Sequence, residues 1–332
     1  MDSERVVDGV YIEGFRGIRR LSREIKFRKF NVVIGRNNVG KTALLEALYL
    51  LPSPYTSNPF TGESRLAFVS SMHSGHRGLV YGYADSAKIV YRVKDLKIVV
   101  EICADGGARV YIDDRAVTEI ECVERLSKVL NIPRDDVRNL IFFVPHTDAF
   151  LKNLDEVLRS ERVWSAIVKR GLARHIVSSL INPIVHDHFT EVLIERDRLK
   201  LRKEVSQDIG PLYIDVSDLG DGIERLCLVA LALEYLRPRL VLWDDIEASA
   251  HPGLIETVLR WLASRSWQVV ITTHSIDVLL ELVRVYPRDC AVIALRKTRD
   301  DIVESKLMEL DEVEDLLDKG IDVRRVVEEL EL

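Results

Sequence analysis

The sequence predicts an α/β fold on a largely parallel sheet, with an antiparallel β subdomain and a helical insertion. Three observations carry this. Buried strand-like runs alternate with helical runs after residue 210, the succession that builds parallel sheets. Gly35-Arg36-Asn37-Asn38-Val39-Gly40-Lys41-Thr42 lies between an apolar strand and a helix, where a phosphate-binding loop belongs. Residues 88–112 hold short strand-like runs separated by turn signals, the pattern of antiparallel pairing.

Along the chain, Val6 to Ile12 is a short apolar strand, followed by Glu13-Gly14-Phe15-Arg16-Gly17-Ile18. Leu21, Arg23, Ile25 and Phe27 recur at every second position, which suits a half-buried strand. Phe30 to Ile34 is a buried strand, and Thr42 to Leu51 is helical until Pro52 stops it. Residues 53–80, rich in Ser, Pro, Gly and Asn, read as an irregular or mobile connection. Strands are expected over Lys88–Val93, Lys97–Ile102 and Arg109–Ile112, the last two joined through Asp105-Gly106-Gly107. An amphipathic helix follows over Glu119 to Leu130, then a buried strand over Asn139 to Val144. Asp155 to about Leu201 reads as mainly helical, interrupted at Gly171 and Pro183. Beyond it come an extended run (209–216), a helix (222–236), a strand ending in acid (240–243) and a helix (254–263). A strand (268–272), a helix (276–285) and a strand (290–295) complete the pattern, and 310–330 reads as two short helices around Gly320. The chain thus divides into 1–52, 53–138, 139–208, 209–300 and a short helical tail, 301–332.

Composition narrows the function classes. Hydrophobic residues are 47% of the 332, yet no apolar run reaches the roughly 20 residues of a membrane span. The polar start Met1-Asp2-Ser3-Glu4-Arg5 differs from a secretory leader, so a cytoplasmic protein with no membrane partner is expected. A net charge of −6 neither attracts nor excludes nucleic acid, which would need a local basic patch. Cys103, Cys122, Cys227 and Cys290 form no CxxC pair and are expected in core positions.

The glycines of the loop let backbone N–H groups converge on phosphate oxygens, aided by the positive end of the helix that follows. Asn37 and Asn38 suit the unusual backbone angles of such a loop. Lys41 is expected to reach the β and γ phosphates of ATP, and Thr42 to offer its hydroxyl to Mg²⁺. Leu240-Val241-Leu242-Trp243-Asp244-Asp245 puts two carboxylates at a strand end, where ligands of open α/β sheets gather. Asp244 is the expected Mg²⁺ partner through its water shell, and Asp245 the group that orients or deprotonates attacking water. His274, just past the next strand, is expected at the γ phosphate or that water.

These pieces, with Leu219-Gly220-Asp221-Gly222-Ile223-Glu224-Arg225 and Asp245-Ile246-Glu247-Ala248-Ser249-Ala250-His251-Pro252, resemble the chromosome-maintenance branch of the ABC-type P-loop ATPases. The pattern looks most like the small AAA-type ATPases related to the overcoming-lysogenization-defect (OLD) family, and more distantly like RecF and SMC heads. The resemblance implies an ABC-ATPase-type fold and Mg²⁺-dependent ATP hydrolysis. It implies ATP-gated homodimerisation, in which Gly220, Asp221 and Gly222 of one subunit close over the ATP of the other. Residues Ala248 to His251 would cross the dimer seam. Three departures stand out. Asp245 occupies the place where the family usually has glutamate, which implies slow turnover and makes Glu247 a second candidate acid. The glutamine expected after the strand before the helical region is replaced within Phe143-Val144-Pro145-His146-Thr147-Asp148, so His146 or Asp148 is expected to take over its contact. Gly220 stands where serine starts the signature.

The interval between Lys41 and Asp244 is too short for a long coiled-coil arm, and the stretch after His274 too short for the metal-dependent nuclease domain of OLD proteins. His186-Asp187-His188 reads as an exposed segment rather than a metal site, and Arg196 to Lys203 as a solvated helix face, with DNA or partner contact as its alternative. The expected role is an ATP-driven switch acting on DNA or on a separate effector, such as a nuclease or helicase, in repair or defence. A catalytic nuclease subunit and a transporter-type motor are the alternatives.

Overall fold

The computed structural model describes residues 5–83, 85–185, 187–205, 210–248 and 250–324. In chain order the elements begin with β1 (Gly9–Phe15), β2 (Ile18–Leu21), β3 (Ile25–Lys26), β4 (Phe30–Ile34), α1 (Lys41–Tyr49) and α2 (Arg65–Ser71). Next come β5 (Ser86–Val93), β6 (Leu96–Cys103), β7 (Ala108–Ile112), β8 (Arg115–Val117), α3 (Glu119–Leu130), α4 (Arg134–Arg138) and β9 (Ile141–Val144). Helices α5 (Asp148–Arg159), α6 (Glu161–Lys169), α7 (Leu172–Ile176) and α8 (Asn182–Val185) lead to β10 (Phe189–Glu195), β11 (Arg198–Lys203) and β12 (Leu212–Asp215). The chain continues through α9 (Asp221–Leu236), β13 (Leu240–Trp243), α10 (Pro252–Ala263), β14 (Gln268–Thr272), α11 (Ile276–Val285), β15 (Cys290–Lys297), β16 (Ile302–Glu309) and α12 (Leu310–Asp318).

Two compact units result, one of residues 1–143, 238–246 and 266–332, the other of 144–237 and 247–265. The first holds a sheet in the order β8-β7-β6-β5-β1-β2-β16-β15-β4-β14-β13-β9, with β3 beside β1. β4 pairs in parallel with both β14 and β15, and β14 in parallel with β13. The β5–β8 end is antiparallel, as its turn signals predict. Every residue of β4, β13 and β14 is buried, and eight of the nine residues of α1 are too. A helix so apolar on all sides belongs inside a core.

Two buried polar side chains in this core are held mainly by backbone groups. Gln268 accepts from the backbone of Val6 and Val7 at 2.9 and 3.0 Å and donates to Val7 and Arg28 at 2.8 and 3.1 Å, fastening the N-terminal segment to β14. Arg65, fully buried, donates to the carbonyls of Tyr49 (2.8 Å), Leu51 and Arg138 (3.0 Å), and its guanidinium lies 4.8 Å from the Tyr49 ring centroid. The Tyr49 carbonyl belongs to the last turn of α1, its negative end, so a buried cation fits there. Burial holds the Arg65 pKa below the usual arginine value.

The second unit carries a three-stranded antiparallel sheet, β10-β11-β12, with helices α5 to α10. It corrects the expectation of helix up to Leu201: Arg198–Lys203 is a strand, joined to β10 by a two-residue turn in which Arg196 and Asp197 have φ of 51° and 58°. Arg198 pairs with Asp215 (3.0 Å), Lys200 with Glu195 (3.0 Å), Arg202 with Glu204 (2.6 Å) and Lys203 with Asp187 (2.6 Å). The basic stretch is therefore a neutralised strand, not a helix face. Two further expectations are revised. Residues 53–80 contain α2 and several buried side chains, and the expected helical tail opens with β16, which pairs with β15 and β2. The tail beyond 324 lies outside the described residues, as does His186. Among the described residues no helix is long and apolar enough to cross a membrane.

Replacing Arg65 with Met strands the buried carbonyls of Tyr49 and Leu51. Urea unfolding is expected to show a loss of about 2–4 kcal/mol, with Arg65→Lys recovering only part, since one ammonium cannot span three acceptors.

Candidate nucleotide-binding site

The strand ends of β4, β13 and β14 bring the predicted residues of the first unit together. After β4 the chain turns at Gly35 (φ 151°), where a Cβ would lie 2.6 Å from the Leu295 carbonyl oxygen. It enters α1 at Gly40 (φ 107°), where a Cβ would press on Ile18 at 3.0 Å. Asn38 takes a left-handed φ of 62°, tolerated by asparagine as expected. No side chain caps the start of α1, so its first N–H groups face a cleft of about 250 Å³ lined by Arg16, Gly17, Asn37, Asn38, Gly40, Lys41, Thr42, Ala43 and His274. Open N–H groups at a helix start form an anion seat.

Lys41 donates to the carbonyls of Gly35 (2.9 Å) and Arg36 (3.1 Å) and lies 3.2 Å from Nδ1 of His274. An ammonium can only donate, so Nδ1 is the acceptor and the imidazole proton sits on Nε2. Nε2 lies 2.9 Å from Oδ1 of Asp245. Asp244 is 4% exposed and accepts from the hydroxyls of Thr272 at 2.7 Å and Thr42 at 2.9 Å. Thr272 in turn accepts from the backbone N–H of Asp245 at 2.8 Å. Burial is the main cause raising the Asp244 pKa above the ordinary aspartate value; the two hydroxyls pull it down, and the neighbouring Asp245 charge pushes it up.

Thr272 is a site residue that sequence reasoning missed. Its signal is positional, being the last residue of β14 beside the Asp244 strand end. A second missed group is Glu46, 1% exposed on α1, which pairs with Arg16 and lies 2.8 Å from His73 Nε2. Arg16 was legible in the Gly14–Ile18 motif, but His73 lies in a stretch that reads as irregular and had no signal.

Other predicted residues belong to the second unit. Gly220 (φ 93°), Asp221 and Gly222 open α9, which has no side-chain cap. They border a cleft of about 940 Å³ with His251, whose Nδ1 caps α10 by accepting from Gly253 N–H at 3.3 Å. His146 is exposed, and the half-buried Glu247 accepts from the Ala250 N–H at 2.9 Å through its carbonyl. Ser249, in the segment expected at a dimer seam, lies outside the described residues.

The fold is that of SMC head domains, and the first unit carries a phosphate-loop sequence at its strand ends. Residues 7–107 match a family model described as "AAA ATPase domain", and residues 175–281 one described as "AAA domain, putative AbiEii toxin, Type IV TA system". The chain is 25% identical over 336 aligned positions to the uncharacterized protein YbjD of Escherichia coli strain K12, covering 82% of this chain and 59% of YbjD. It therefore spans less than two thirds of that relative. Among solved structures, an SMC head bound to the C-terminal winged-helix domain of ScpA aligns with a TM-score of 0.64 at 12% identity, over 94% of this chain and all of that one. The SMC head domain from Thermotoga maritima aligns with a TM-score of 0.54 at 15% identity, over 92% of this chain and all of that one.

The raised Asp244 pKa has a definite sign. Between the ordinary aspartate value and the raised one, the native chain binds more protons than the unfolded chain. Stability is thus greatest below that window and is lost as pH rises through it. Asp244→Asn carries no charge and can still accept from a threonine. Without nucleotide it is expected to melt about 2 °C higher than wild type near neutral pH, a gain that fades towards about pH 4 in a series of thermal scans.

Proposed function

We propose that this chain hydrolyses ATP with Mg²⁺ and that ATP holds two copies together as a switch for a separate effector. The observation that carries the reading is the hydrogen-bonded set Lys41, Thr42, Asp244, Asp245 and His274 around one anion seat. Asp244 and Thr42 offer hard oxygen donors that fit Mg²⁺, which takes one or two protein ligands and completes its shell with phosphates and water. Among the described residues no group of three or more His, Cys, Asp or Glu forms an all-protein metal site. When bound, Mg²⁺ would neutralise charge developing between the β and γ phosphates.

The protein's own groups then divide the work. Lys41, held by neutral acceptors in this structure, shifts to the β and γ oxygens, which are the stronger acceptors. Once Lys41 has moved, Nδ1 of His274 takes up a proton from solvent and donates to the γ phosphate, while Nε2–H stays on Asp245. Asp245, oriented by His274 through one oxygen, uses the other to hold attacking water and draw off its proton. Asp245 has a shorter reach than glutamate, so turnover is slow; Glu247 is the alternative acid. For the partner's ATP, the starts of α9 and α10 on one cleft support a phosphate-facing role for Gly220, Asp221 and Gly222. His146 remains the candidate for the missing glutamine's contact.

Two features favour a protein effector over DNA at the β10–β12 sheet. Its cations are paired with carboxylates, which leaves little charge for a phosphate backbone. Two of the SMC heads of similar fold are themselves bound to ScpA domains.

Lys41→Ala is expected to abolish turnover and weaken ATP binding at least tenfold, roughly the loss of one charge-assisted contact; full activity would overturn the loop assignment. Asp245→Asn is expected to keep ATP binding, slow hydrolysis by about 10²-fold or more, and give a dimer mass in solution with ATP. A strictly monomeric mass at high concentration would refute ATP-gated pairing, and a larger loss in Glu247→Gln would move the catalytic acid.

A further inference from the structure

His274 sits on the short link 273–275 between β14 and α11, and its imidazole joins Lys41 to Asp245. Such a link can rotate its peptide planes, and any rotation redirects the ring. The two flanking positions are fixed locally. Thr273 N–H donates to the Val33 carbonyl at 3.1 Å, and Ser275 caps α11 by accepting from Asp277 N–H at 3.1 Å. The carbonyl of His274 itself accepts from Nη1 of Arg324 at 2.5 Å.

Arg324 is itself held. Its Nε and Nη2 donate to Asp322 at 2.9 and 2.7 Å, its backbone N–H donates to the same carboxylate at 3.1 Å, and the intervening Val323 is fully buried. A charge-assisted bond from an anchored guanidinium is the strongest hold a peptide carbonyl can receive from a side chain.

We infer that Arg324 is a positioning residue for His274. It fixes the His274 peptide plane, and so the direction of the imidazole between Lys41 and Asp245. The kinetic part of this inference rests on the proposed role of His274 at the γ phosphate; the conformational part does not. A ring held in place before ATP arrives spares the site that ordering step, and misplacement of about an ångström costs on the order of 10²-fold in rate.

The test pairs a readout without nucleotide with a kinetic one, both on the full chain. In hydrogen–deuterium exchange without ATP, Arg324→Ala is expected to speed exchange of the link 273–275 about tenfold while peptides of α1 stay unchanged. In steady-state assays kcat is expected to fall about tenfold or more with the ATP Kd within about twofold. Arg324→Lys, which can still donate to the carbonyl, should recover part of both effects, and Asp322→Asn should weaken them in the same direction. In a His274→Ala background Arg324→Ala should change kcat no further. Unchanged exchange in the link overturns the inference. So does an equal fall in kcat in the His274→Ala background, because the arginine would then act through general stability. A faster link in a protein whose wild type hydrolyses no ATP would uphold the positioning role and refute the ATPase reading instead.

Discussion

The site depends on one buried carboxylate. Asp244 lies at the end of an all-buried strand, and a negative charge there is tolerated only because two hydroxyls from separate elements point at it. Thr42 comes from the first turn of α1 and Thr272 from the end of β14. The parallel register that sets Trp243 opposite Ile271 and Ile271 opposite Val32 puts these groups at one level. Remove the register and the hydroxyls miss the carboxylate. Thr272 also receives the Asp245 N–H, so a single side chain sets the geometry of both acids.

The same arrangement stores a cost. The carboxylate is less stable here than in water, as its raised pKa records, and a bound cation would relieve that penalty. Lys41 occupies a comparable position, since the residue is 6% exposed and its ammonium contacts two backbone carbonyls and an imidazole. Cation and anion thus stand on either side of the seat, where a triphosphate and its metal would supply strong partners to both. The folded chain is prepared for ligand at the expense of its own stability.

Much of this was legible in the sequence. The glycine loop, the acidic strand end and His274 stand at strand ends in the sequence pattern and come together there in the structure, and β13 and β14 have the expected bounds. The β10–β11 hairpin was misread although Leu199 and Leu201 alternate with Arg198, Lys200 and Arg202 at the strand period. Its turn, Arg196-Asp197, lacks the Asn-Gly type of signal, and charge density drew the reading towards an exposed helix. Thr272, Glu46, His73 and Arg324 were hidden for a different reason. Each matters through a tertiary contact, over separations of 27 to 50 residues for the pairs His73–Glu46, Thr272–Asp244 and Arg324–His274, and no local pattern encodes such a partner.

One departure from the resembled family acquires a physical reason. Asp245 has a left-handed backbone, φ 46°, immediately after β13. Aspartate and asparagine enter that region more readily than longer side chains, because a short polar group can satisfy the local backbone. A glutamate in the same turn would carry more conformational strain, and its extra methylene would push the carboxyl past the 2.9 Å contact with His274 Nε2. The aspartate therefore fits this turn, and in the proposed mechanism its shorter reach is compensated by the histidine that contacts it from just past the next strand. Loss of His274 orientation should harm this chain more than one whose acid reaches water unaided, which makes the hold on the link 273–275 a condition of the shorter acid.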